Sequence, residues 1–189
     1  MGTYTSVALT VDVKGEKADL LTLLADQRAL FKVTVRGLTD EQARERTTVS
    51  ELTLGVLLKH LARGEREVVK VMTEKDENAE FDVSRFGDEY TFTPEDSLEF
   101  WIAEYDRAAA EFDEFIAASD MDELIPQPTA PWAPEREWLS VRSIVAHRLR
   151  ETAHHSGHAD IIREALDGQS TMKAISEGQE WAEDYDWGE

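Results

Sequence analysis

Apolar residues recur at helical spacing in four stretches of the chain, and no stretch alternates as a strand. Residues 16 to 36 carry Leu20, Leu23, Leu24, Leu30, Phe31 and Val35, with Gly37 following as a C-terminal cap. A short turn after Thr39 places Gln42 three residues on, the spacing of a capping box. The second helix starts at Ser50 or Thr53 and runs to Thr73, with Leu54, Leu57, Leu58, Leu61 and Val68 as its stripe. The third opens on Thr93 as N-cap, Pro94 at the first position, and Glu95 and Asp96 in the first turn. Leu98, Trp101, Ile102, Tyr105, Phe112, Phe115 and Ile116 line one of its faces. The fourth covers residues 139 to 166, capped by Ser140 and closed by Gly168.

Two long connections separate these helices, an acidic one at 76 to 92 and a proline-containing one at 119 to 138. Connections of that length in a compact domain are often functional. Trp132 and Trp138 in the second either cover a pocket mouth or anchor a crossover to the bundle. Four amphipathic helices joined this way predict an all-α, four-helix bundle over residues 1 to 168, with two long crossover loops. Residues 169 to 189 form an acidic extension containing Trp181, Tyr185 and Trp187, placed either on the bundle or on a second subunit. An N-terminal segment, Thr3 to Val13, alternates β-branched residues but is too short to define an assembly.

Composition narrows the function. The chain has 189 residues, enough for one domain with a substantial core. No apolar run reaches the length of a membrane span, and no basic-then-apolar leader opens the chain, so a cytoplasmic location is expected. Forty acidic against 20 basic residues give a formal charge of −20, which repels phosphate backbones and anionic lipid. No nucleic-acid or membrane partner is therefore expected. The absence of cysteine excludes disulfides, a cysteine nucleophile and thiolate ligands. A metal would have to be held by nitrogen and oxygen, and any reacting thiol would have to arrive as substrate.

The donors for such a metal cluster near the C-terminus. Glu151-Thr152-Ala153-His154-His155-Ser156-Gly157-His158 holds three of the five histidines of the chain, and His60 lies alone on the second helix. At 100° per residue, Ile144 and Ile162 fall on one line, with Glu151 and His155 about 20° to either side. His158, His147 and His154 stand off by roughly 40°, 60° and 80°. Periodicity thus puts Glu151 and His155 together at the centre of the expected buried face. A buried carboxylate is costly without a partner. A shared cation would compensate it; a Glu–His hydrogen-bonded pair, or a solvated face at another register, would also fit. His60 flanks the Leu54/Leu61 stripe, and Gly64, one turn on, would let another helix approach closely.

These segments resemble a known family. Leu57-Leu58-Lys59-His60-Leu61-Ala62, Trp138-Leu139-Ser140-Val141-Arg142 and the run from Glu151 to Glu164, ending in Asp167-Gly168, are similar to the DinB-like superfamily of four-helix metalloproteins. The resemblance is to its actinobacterial branch of mycothiol transferases and mycothiol-dependent maleylpyruvate isomerases, and it covers roughly residues 16 to 168. It implies a metal held by His60, Glu151 and His155, with Glu151 standing where many relatives have histidine. Three protein ligands leave a position open, as in catalytic rather than structural zinc sites. The implied activity is S-transfer from a small-molecule thiol, mycothiol, to an electrophilic co-substrate, with His158 as the candidate proton relay and His154 its alternative. His158 could equally hold a ligand from behind, touch substrate or serve as a fourth ligand. Zinc is the first choice of metal, with nickel, iron and manganese suiting the same donors. A homodimer is the family-level expectation. Metal-activated water performing hydrolysis, and a non-catalytic dimeric metal-binding scaffold, are the rival readings.

Overall fold

The computed structural model describes residues 3–179. Its elements in chain order are α1 (Glu16–Thr34), α2 (Asp40–Arg44), α3 (Leu54–Glu74), α4 (Phe86–Glu89), α5 (Leu98–Ala118), β1 (Leu124–Pro126), β2 (Trp138–Ser140), α6 (Val141–Asp167) and α7 (Thr171–Ser176). Helices α1, α3, α5 and α6 are the four expected from periodicity. Thr39 and Gln42 close the reciprocal capping box of α2, Thr53 caps α3, Ser140 caps α6, and Gly168 ends α6 at φ 79°.

Helix directions follow from the side chains that tie their ends. Arg142 at the start of α6 binds Glu16 at the start of α1, while Arg163 donates to Thr34 O and Arg36 O at the far end of α1. These two helices therefore run parallel. Lys59 reaches Asp96 before α5, and Lys75 lies over the Phe115 ring near its end, so α3 and α5 are also parallel. Thr47, just before α3, donates to Ile162 O late in α6, which makes the two pairs antiparallel to one another. Parallel neighbours need a returning connection, so residues 75–97 run back along the bundle. Residues 119–140 stay at one end, where Val141 N and Arg142 N donate to Glu123 O and Met121 O.

Two expectations need correction. The third helix starts at Leu98 with Ser97 as its cap, not at Thr93. Asp96 instead folds back to accept hydrogen bonds from Thr93 N (2.8 Å) and Thr93 Oγ1 (3.1 Å), and from Trp101 Nε1 (2.7 Å). The Thr-Pro-Glu-Asp sequence makes a turn that precedes the helix. Strands also occur, since β1 and β2 pair antiparallel with Ile125 opposite Leu139. At three residues each, one ending in Pro126, they are too short to show alternation.

Trp132 packs edge-on against Phe81, with ring centroids 5.3 Å apart, and Phe81 N donates to Thr129 O. It joins the two long connections to each other. The N-terminal segment is a strap rather than a strand. Tyr4 N and Thr5 N donate to the Asp26 carboxylate, and Leu9, Val11 and Val13 pack on the core. Beyond Gly168, α7 packs on α1; Trp181, Tyr185 and Trp187 lie outside the described residues. No helix among the described residues is long and apolar enough to cross a membrane.

The core has two apolar halves. One gathers Phe31, Leu54, Leu57, Leu58, Leu61, Phe92, Trp101, Ala159 and Ile162. The other gathers Leu21, Leu24, Met72, Phe112, Ile116, Val141, Ile144 and Val145. Each leucine or isoleucine fully buried contributes about 1.5–3 kcal/mol. Between the halves lies a buried polar layer with a member from every long helix: Arg28, Glu65, Asp113, Arg148 and Thr152. Arg28 pairs with Glu65 and, at 2.9 Å, with Asp113. The Phe92 ring lies directly on Gly55, where an added Cβ would meet it at 2.5 Å. That glycine lets the returning connection seat on the first turn of α3.

Candidate metal centre

Helix α3 presents His60 and α6 presents Glu151 and His155, and one donor atom from each lies within 4.8 Å of the other two. His155 Nε2 is 3.8 Å from Glu151 Oε2. Two ligands at tetrahedral zinc distances stand about 3.4 Å apart. The three donors are thus close to the spacing a single ion would impose, and small side-chain adjustments would complete it. Two imidazoles and one carboxylate suit several divalent transition ions and fit such an ion chemically.

The reason these side chains meet lies in the helix geometry. Glu151 and His155 are four apart and share a face of α6. His60 comes from the antiparallel α3, and its ring centroid is 4.9 Å from that of His155 in an edge arrangement. The three residues are each half-buried at the edge of the core, not at its centre. Here the sequence-derived register is off by about 60°. The centre of the buried face runs through Val141, Val145, Arg148, Thr152 and Ala159. Arg148, Thr152 and Arg163 are polar by type, yet all three are buried. Glu151 and His155 still pair as expected, from the flank of that face. Gly64, expected to admit a neighbouring helix backbone, instead accommodates the guanidinium of Arg148, 3.1 Å from where its Cβ would be.

Electrostatics favour the ligating forms. Burial and the neighbouring His60 push the His155 imidazole down to about 4, against the opposing pull of Glu151, so it is neutral at physiological pH. Burial raises Glu151, but His147, the Arg150 hydrogen bond, His155 and Arg148 outweigh it and keep the carboxyl below its ordinary value. Arg150 Nη2 contacts Glu151 Oε1 at 3.3 Å and His147 Nδ1 at 2.8 Å. Burial lowers His147 as well, with Glu151 opposing.

The remaining histidines occupy an outer position. His158 Nδ1 is 3.4 Å from His155 Nδ1, behind the face that His155 turns to Glu151. His154 is exposed and lies against His158, with centroids 4.6 Å apart. Neither belongs to the three-donor cluster.

Sequence reasoning missed Tyr90 and Lys59. The Tyr90 ring stacks on His60 at 5.6 Å with planes 24° apart. It is brought there because Lys59, only 2% exposed, binds Asp88 and Asp96 at 3.1 Å each and pins the returning connection to α3. Lys59 also lies over the Trp101 ring at 5.5 Å. A lysine between Leu58 and His60 reads as solvent-facing by residue type, though its angular position beside the apolar stripe is the one available hint.

Among the curated proteins and the solved structures, no significant match to the chain is found. A family model does match: the mycothiol-S-transferase family, over residues 19–168. That interval begins in α1 and ends at the glycine that closes α6, so it contains all four long helices and His60, Glu151 and His155. The chain is therefore a member of the mycothiol-S-transferase family, within the DinB-like superfamily, and a transferase.

Proposed function

We propose that the chain catalyses S-transfer from mycothiol to an electrophilic small molecule at a divalent-metal centre held by His60, Glu151 and His155. The observation that carries this reading is the convergence of those three donors within 4.8 Å in a chain of this family. When bound, the metal supplies acidity to a coordinated thiol, whose own value near about 8.5 leaves it mostly protonated in the cell.

The protein's own groups do the rest. His155 is neutral, so its Nε2 lone pair is free to ligate. With Nε2 turned to Glu151, the proton of His155 resides on Nδ1, which donates to Nδ1 of His158. That bond holds the ring in its ligating orientation; with His158 Nδ1 accepting, the hydrogen of the His158 ring sits on Nε2, so His158 serves the centre by orienting His155. Tyr90, stacked on His60, fixes the second imidazole from the solvent side. Zinc is the favoured ion, the 1–168 unit the working domain with 169–189 as an extension, the cytoplasm the compartment and a homodimer the assembly.

Product analysis with and without added thiol tests the reading. Adduct formation should require both the thiol and the metal and should disappear in Glu151→Ala. Turnover of the electrophile at an unchanged rate without thiol would establish hydrolysis instead.

A further inference from the structure

A cleft of about 340 Å³ opens between α3 and the returning connection, with Arg148, Gly64, Arg63, Lys70, Glu67, Glu80 and Asp82 among its lining residues. Arg148 reaches it from α6 across the surface of α3. It is 5% exposed, and its charge is poorly matched within the protein. Glu65 is already engaged by Arg28, and its second oxygen lies 4.0 Å from Arg148 Nη2. The same nitrogen meets Leu61 O only at 3.5 Å, and Arg148 Nε has no hydrogen-bond partner among the described residues. A buried guanidinium ordinarily satisfies most of its five donors. Gly64 removes the side chain that would otherwise cover it, since a Cβ there would stand 3.1 Å from Nη1.

We propose that Arg148 is the anchor of a carboxylate-binding subsite, and that the electrophilic co-substrate carries that carboxylate. This rests on the transferase reading above for the identity of the ligand as co-substrate, but not for the existence of the subsite. The position suits such a role. Gly64 lies one helical turn from His60, about 6 Å along α3, and Arg148 lies three residues before Glu151. A small acid seated on the guanidinium would therefore extend toward the metal donors. The planar fork matches a carboxylate with two parallel hydrogen bonds. The lining balances Arg63, Lys70 and Arg148 against Glu67, Glu80 and Asp82, in a chain of net charge −20, so a singly charged carboxylate is favoured over a dianionic phosphate.

The test is an NMR titration of the full chain as purified, without thiol or turnover, using propionate as probe. Propionamide is the neutral control and inorganic phosphate the dianionic one. The Gly64 amide and Arg148 Nε–H signals should shift saturably with propionate, with a Kd on the order of 1–10 mM. Propionamide and phosphate should bind at least about tenfold more weakly, and Arg148→Met should abolish the shifts. Equal response to propionamide, or no saturation with propionate, would overturn the subsite. Tighter binding of phosphate would overturn the carboxylate assignment. Since these readings need only wild-type protein, a poorly folding Arg148→Met would not rescue the proposal. Anion binding without any thiol-dependent product would instead count against the transferase reading alone.

Discussion

At the scale of single residues, the candidate centre rests on the contrast between the three side chains that could hold a metal and the side chains that position them. Glu151 and His155 were legible in the sequence because a four-residue spacing survives any error of register. Their depth was not, because the buried Arg148, Thr152 and Arg163 read as solvent-facing by type. Tyr90 was illegible for a different reason: its stacking on His60 depends on a chain return that no local pattern encodes. His158 is the residue whose role separates most cleanly from folding, being half-buried and, among the described residues, hydrogen-bonded to the back of His155. Groups that orient a ligating histidine are typically worth about 10–100-fold in metal affinity. His158→Ala should therefore weaken zinc binding by about tenfold or more in a competition titration with a chromophoric chelator, with little change in melting temperature. Unaltered affinity would remove His158 from the account.

At the scale of elements, the approach to the centre is shaped by how the returning connection attaches to α3 and α5. Four helices were readable from apolar spacing, and most of their caps from residue type. The start of α5 was not, since Thr93-Pro94-Glu95-Asp96 has every local feature of a helix start. Tertiary contacts decide otherwise. Asp96 is held by Thr93, Trp101 and Lys59, and Leu98 N, in the first turn of α5, is taken by Asp40 Oδ1 at 2.8 Å. Burial raises the Asp96 carboxyl, but the hydrogen bonds from Thr93, Trp101 and Lys59 outweigh it and leave it below its ordinary value. A carboxyl lowered in the folded state adds stability above its unfolded value, and that stability is lost as pH falls through the folded value. Asp96→Asn should accordingly destabilise the protein by about 1–3 kcal/mol at pH 7 in urea unfolding. The gap to wild type should close as pH drops below the ordinary aspartate value of about 3.9. A gap that stays constant down to pH 3 would mean that the ionised carboxylate is not what pins this turn.

At the scale of the whole molecule, a polar layer across four helices sets the level at which α3 and α6 present His60, Glu151 and His155. Periodicity revealed the apolar faces, and nothing in it revealed the layer, because its members are polar residues, four of the five charged, that meet across different helices. Glu65 is its fully enclosed carboxylate, at 0% exposure, with Arg28 and Arg148 both turned toward it. Removing one partner of a buried ion pair typically costs about 3–5 kcal/mol. Glu65→Ala should lose that much in urea unfolding, whereas a loss under about 1 kcal/mol would show the layer to be solvated. Function at this scale returns to one question, whether the four helices close around a metal. Metal content by mass spectrometry, on full-length protein purified without a histidine tag, answers it most directly. Wild type should carry close to one divalent ion per chain, and Glu151→Ala and His155→Ala should each lose it while remaining folded. Wild type that stays empty after zinc, nickel, iron and manganese have each been offered would contradict the account.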